Sequence, residues 1–121
     1  MKKLYIVKST REFERIIKNG KLNKNKNYVI YSMENNLPYE RYGISVGKKI
    51  GNAVYRNKYK RKVRQIIDNC KKSYVKNRDY IIILRESAKN CTYQELNLSF
   101  SSLINNIRKD LDYDKIIKKE K

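Results

Sequence analysis

Between Lys48 and Gln65 the chain carries Lys48, Lys49, Arg56, Lys58, Lys60, Arg61, Lys62 and Arg64 without one acidic residue. Ammonium and guanidinium groups at this density hold anionic oxygens, and a polyanion such as the backbone of a nucleic acid presents them in series. From Asn52, a suitable N-cap, no Gly or Pro intervenes until well past Cys70, so the stretch reads as a helix. At 100° per residue Tyr55, Tyr59, Val63, Ile66 and Cys70 share one side, which is expected to pack on the domain. Beside that stripe Arg56, Lys60, Arg64, Asn57 and Arg61 form a continuous cationic ridge. Like charges at i,i+4 cost a few tenths of a kcal/mol per pair, a cost that an anionic partner relieves. Gly47-Lys48-Lys49 and Gly51 precede the helix but lack the spacing and the Lys-Ser/Thr ending of a phosphate loop. They read as a loop whose amides and lysines meet RNA phosphates at a helix N-terminus.

The rest of the composition narrows the chemistry. Thirty Lys and Arg stand against 12 Asp and Glu in 121 residues, a formal charge of +18 spread from end to end, and there is no histidine. The commonest general base and metal ligand is therefore missing. No paired carboxylates, nucleophile–base pair or metal-ligand cluster stands out, so catalysis by this chain alone is not expected. Asp110, Asp112 and Asp114 lack the Gly and terminal Glu of a calcium loop and read as a solvated helix end. Cys70 and Cys91 fit no metal spacing and are expected as free thiols in a cytoplasmic protein. No apolar run is long enough to span a membrane, no lipidation motif is present, and the short apolar start Leu4–Val7 is not a signal peptide.

The length suits one domain with one core, expected to span residues 1–121 with a loose basic tail over 112–121. Ser9-Thr10-Arg11-Glu12 has capping-box spacing, and Phe13, Ile16 and Ile17 give a short first helix its apolar face before Gly20. Lys21 to Asn27 is a loop or weak edge strand. Tyr28 to Met33 is a strand, and Arg41 to Gly47 is read as its hairpin partner across a turn at Asn35, Asn36 and Pro38. In that second strand Tyr42, Ile44 and Val46 face the core, while Gly43, Ser45 and Gly47 leave room for a packed helix or a ligand. Tyr80 to Leu84 suits a central strand covered on both faces. Thr92-Tyr93-Gln94-Glu95 opens a last helix with the stripe Leu96, Phe100, Leu103, Ile104 and Ile107. The fold class is α+β, in the order αββαβα with a small mixed sheet and an optional extra edge strand.

Gly43-Ile44-Ser45-Val46, Lys48-Lys49-Ile50-Gly51-Asn52-Ala53-Val54, Arg56-Asn57-Lys58, Lys60-Arg61 and Arg64-Gln65 together resemble the signature of the protein subunit of bacterial ribonuclease P. A looser resemblance covers most of the chain, through Glu12-Phe13 with Gly20, the strand ending at Tyr31, Asp79-Tyr80-Ile81-Ile82 and Thr92-Tyr93. The family's Arg-Asn-Arg core ends here in Lys58, which keeps the charge and loses the guanidinium fork. Ile17 stands where relatives often carry an aromatic.

The resemblance implies a ribosomal-protein-like α/β sandwich whose βαβ crossover is left-handed, against the general rule. It also implies a partner, a large catalytic RNA that uses Mg2+, held mainly by RNA and substrate, to remove the 5′ leader of precursor tRNA. Carried over residue by residue, Lys48, Lys49, Arg56, Asn57, Lys58, Lys60, Arg61 and Arg64 contact the RNA, and Phe13, Ile17, Tyr31 and Ser45 line a cleft for the single-stranded leader. Stacking on aromatics tolerates any base and so suits leaders of varied sequence. From the residues alone Phe13 and Tyr31 read equally as core, and Ser45 as a small packing residue. Charge alone also permits a ribosomal-type or general RNA-binding protein without a role in tRNA processing. No membrane and no obligate protein partner is implied.

Overall fold

Tyr80-Ile81-Ile82-Ile83-Leu84 is apolar on both alternations, and such a strand is stable only where both faces of a sheet are covered. In the computed structural model it takes that place. The elements are α1 (Thr10–Asn19), β1 (Lys21–Lys24), β2 (Tyr28–Glu34), β3 (Arg41–Val46), α2 (Ala53–Asn69), β4 (Arg78–Leu84) and α3 (Tyr93–Glu120), with 3-10 turns at Lys48–Ile50 and Glu86–Asn90. Residues 5–70 and 74–120 are described, with side chains through residue 113. The sheet order is β1-β2-β4-β3.

The expected hairpin between β2 and β3 does not form. β4 inserts between them, antiparallel to β2 and parallel to β3. Burial explains the choice, because β4 loses most by lying at an edge. A charge pair then selects its flank. The Asp79 carboxylate, fully buried, accepts from Arg41 Nε at 2.9 Å and Nη2 at 2.7 Å and from Asn35 Nδ2 at 2.7 Å. Arg41 also meets Glu12 of α1 at 3.0 Å, so one guanidinium ties β3, β4 and the first helix. The weak strand suggested at Lys21–Asn27 is real but short, and Lys21–Lys24 pairs with β2 along the sheet's edge.

The two faces of the sheet are covered unequally. On one, α2 and α3 enclose Tyr28, Ile30, Tyr42, Tyr80, Ile82 and Leu84 together with Val63, Ile66, Ile67, Phe100 and Ile104. Buried phenols there find partners: Tyr28 donates to the Leu96 carbonyl at 3.0 Å and Tyr74 to the Ile67 carbonyl at 3.2 Å. On the other face, among the described residues, only α1 and the segment at Val7 lie over the sheet, burying Val7, Ile16 and Ile81 while Phe13, Tyr31, Met33 and Ile83 stay half-buried.

Helix ends follow local signals. Ser9 Oγ accepts from Glu12 N at 3.4 Å, and at α3 a reciprocal box forms, Glu95 N to Thr92 Oγ1 at 3.1 Å and Thr92 N to Glu95 Oε1 at 3.2 Å. All five residues of the α3 stripe are buried. The helix does not stop at its aspartates. It runs to Glu120, and Asp110 accepts from Asn23 Nδ2 at 3.3 Å, joining α3 to β1. The loose tail expected over 112–121 lies largely outside the residues whose side chains are described.

Candidate nucleic-acid interface

α2 begins with a satisfied cap, as Asn52 Oδ1 accepts from Val54 N at 3.1 Å and Tyr55 N at 3.2 Å. Its side chains then divide as the periodicity demands, with one exception. Val63, Ile66 and Cys70 are buried and Tyr59 is half-buried, but Tyr55 is 55% exposed, and Ile67 joins the core instead. Ile50, in the turn before the helix, fills the end of the core, so the first turn of α2 projects past it. Burial raises the Cys70 thiol above its ordinary pKa, and both cysteines are free.

The cationic ridge is where the sequence places it. Asn57, Lys58, Arg61 and Arg64 are exposed, Arg56 and Lys60 half-buried, and Lys48 and Lys49 exposed in the 3-10 turn. Among the described residues none of these cations forms an ion pair. Arg56 Nε is buried without a hydrogen-bond partner among the described residues. An unpaired guanidinium donor in a field of like charge is energetically costly, and an anion relieves it.

The expected cleft residues fall on the thinly covered sheet face. Strand register sets Leu22, Tyr31, Ile81 and Gly43 in one row and Lys24, Val29, Ile83 and Ser45 in the next. α1 lies over the first row. A Cβ added at Gly43 would sit 2.4 Å from Phe13 Cζ, so the glycine admits the Phe13 ring onto the strand. Of the two readings of the small-residue face, a packed helix therefore applies at Gly43. Ile17 is 38% and Leu22 47% exposed beside it, and the second row, with Ser45, remains half open. Phe13 and Tyr31 are thus neither core nor free surface.

Two grooves connect this face with the basic one. β3 is an edge strand, and only its start is covered, where Val7 N donates to the Tyr42 carbonyl at 2.8 Å. Below that point a cleft of about 180 Å³ is lined by Ile6, Val7, Phe13, Tyr42, Ile44, Lys60 and Arg64. It brings Phe13 of the expected cleft against two cations of the ridge. A second, open groove of about 520 Å³ runs past Ser45, Gly47, Lys48, Lys49, Ile83, Arg85 and Glu86.

Sequence reading missed Arg85 and the exposure of Val54 and Tyr55. Arg85 follows the apolar β4 directly, and a cation at the end of a central strand was the available signal. Tyr55 had none, because its periodicity matches that of the buried stripe, whereas Val54 already stood off that stripe by angle.

Residues 1–108 match the Ribonuclease P family profile. The ribonuclease P protein component of Streptococcus pyogenes is 45% identical over 96 residues, 79% of this chain and 80% of that protein. That of Streptococcus pneumoniae is 42% identical over 96 residues, 79% of this chain and 78% of its own length. Among solved structures, the RNase P protein of Staphylococcus aureus superimposes with a TM-score of 0.78 at 36% identity, covering 85% of this chain and 94% of that one. The RNase P protein of Thermotoga maritima does so with a TM-score of 0.77 at 30% identity, covering 83% and 94%. With identity at this level across most of both chains, and the same arrangement of strands and helices, this protein belongs to the ribonuclease P protein family.

Proposed function

We propose that this chain is the protein subunit of a cytoplasmic ribonucleoprotein endonuclease that removes the 5′ leader of precursor tRNA. It binds the catalytic RNA and the leader and leaves the chemistry to the RNA. The observation that carries this reading is the cleft in which Phe13 faces Lys60 and Arg64. A single strand needs an apolar surface for its bases and cations for its phosphates, and that groove offers both within one wall's width.

Division of labour follows from the two surfaces. Lys48, Lys49, Arg56, Asn57, Lys58, Lys60, Arg61 and Arg64 hold phosphates of the catalytic RNA, and of these Lys60 and Arg64 also border the leader cleft. Phe13, Tyr31 and Ser45, with Ile17 at the margin, take leader nucleotides, and each base stacked on an aromatic contributes about 1–3 kcal/mol. Mg2+ supplies Lewis-acid assistance in such a reaction. Among the described residues no group of three or more acids or cysteines lies together, and the ridge consists of cations and amides. That donor set does not fit a divalent ion, so the ion is assigned to the RNA and the substrate. No helix among the described residues is long and apolar enough to cross a membrane.

Reconstitution tests the reading. At low magnesium, adding the full chain to the catalytic RNA of a bacterial ribonuclease P is expected to restore leader cleavage. Binding to that RNA without stimulated cleavage would leave a general RNA-binding protein. Cleavage of precursor tRNA by the protein without RNA would make it a nuclease in its own right.

A further inference from the structure

The most exposed apolar surface beside the ridge lies at the start of α2, where Val54 is 76% and Tyr55 is 55% exposed. Single exposed apolar residues are ordinary, and one tyrosine in water needs no explanation. This one has three features that a casual surface residue lacks. It sits among cations without an acid near in sequence: Lys48 and Lys49 precede it in the 3-10 turn, and Arg56 and Lys58 follow it on the helix. Its base is buttressed. Gly51 takes φ +146°, and a Cβ there would lie 3.0 Å from Tyr55 Cβ and 3.4 Å from Cγ, so the loop backbone folds against the root of the ring. Its backbone is held too, because Tyr55 N donates to the Asn52 cap. A ring so anchored loses little conformational entropy on contact, the condition under which an exposed aromatic binds well.

Charge decides the partner. A protein surface seated here would have to bring acids to every side of the ring, whereas a strand of RNA brings phosphates on both flanks of each base. We propose that Tyr55 is a stacking platform for an unpaired base of the catalytic RNA, with Lys58 and the Lys48-Lys49 turn engaging the phosphates on either side of that nucleotide. The inference rests on the proposed function and adds to the phosphate-holding ridge one contact that reads an unstacked base. It also gives Lys58 a role in which an ammonium suffices, since a flanking phosphate requires charge and no fork geometry.

The test is the affinity of the full chain for a bacterial ribonuclease P catalytic RNA, transcribed in vitro, across a salt series. Stacking releases no counterions, so Tyr55→Ala is expected to weaken binding roughly 5- to 150-fold while leaving the slope of log affinity against log salt unchanged. Tyr55→Phe is expected to bind as the parent does, and Tyr55→Leu to stay weakened. All three are expected to melt with the parent, because the ring lies outside the core. Equal binding by Tyr55→Ala overturns the inference, and so does full rescue by Leu, which would make the contact merely apolar. A change in sedimentation of Tyr55→Ala without RNA overturns it in favour of contact between copies of the chain. If the parent itself fails to bind this RNA, the proposed function fails; if the parent binds and Tyr55→Ala binds equally, only the stacking role fails.

Discussion

The two faces of the sheet use similar residues to opposite ends. Toward α2 and α3, Tyr28, Tyr80 and Phe100 are all 1% exposed or less, and rings pack edge to face, with Tyr42 and Tyr74 centroids 4.9 Å apart and Tyr28 and Phe100 5.3 Å apart. Toward α1, Phe13 and Tyr31 remain half-buried over a floor that a ten-residue helix cannot cover. An aromatic contributes to stability in proportion to the area it hides, and to binding in proportion to the area it leaves accessible. One face therefore holds the fold together, and the other is left thin enough to receive a strand.

The largest expected difference lies between two phenylalanines. Phe100→Ala should cost about 3–5 kcal/mol of stability, because a fully enclosed ring leaves a cavity. Phe13→Ala should melt closer to the parent yet lose about 1–3 kcal/mol of affinity for precursor tRNA bearing a leader, with mature tRNA unaffected. Chemical denaturation and paired binding titrations measure both. Equal destabilisation by the two variants would erase the distinction between the faces.

Alkaline titration sharpens the comparison from the stable side. Burial raises the phenol pKa of Tyr28, Tyr42, Tyr74 and Tyr80, and at Tyr80 the Val75 N–H and the Arg78 and Arg108 guanidiniums offset part of the rise. Below pH 10 these phenols are protonated in both states and the pH leaves their contribution whole. Above it the unfolded chain releases protons that the folded one retains, so stability falls by about 1.4 kcal/mol per pH unit for each such tyrosine. Circular dichroism and tyrosinate absorbance should change together above about pH 10. Early, non-cooperative titration of all tyrosines would show that the cluster is not closed.

The smallest effect concerns the ridge. Lys60→Ala and Arg64→Ala should each reduce the salt slope of RNA binding by roughly 0.7 to 0.9. Unlike Tyr55→Ala, they act through counterions, and an unchanged slope would mean that their charges remain solvated in the complex.

Much of this was legible beforehand, for reasons that differ by element. The α3 stripe followed from periodicity because a helix packed along its length buries every residue at the right angle. The ridge followed from composition because surface charge without acids has no internal use. The hairpin assignment failed because adjacency in sequence says nothing of a strand arriving later, and β4, with its buried Asp79, displaced β3 from β2. Tyr55 was misplaced because angular position tells which side of a helix a residue is on, and not whether the core extends that far along the axis.

What the sequence determined by itself was therefore local and chemical: helix caps at Ser9, Asn52 and Thr92, apolar spacing, and a cationic segment that calls for an anion. These depend on residues within a turn or two of each other. What only the tertiary structure decided was which surfaces adjoin. Phe13 and Arg64 are far apart in the chain and line one cleft, because a parallel β3–β4 pair carries α2 back alongside the edge where α1 ends its cover. No local pattern encodes that adjacency. It arises from burying β4 on both faces at once.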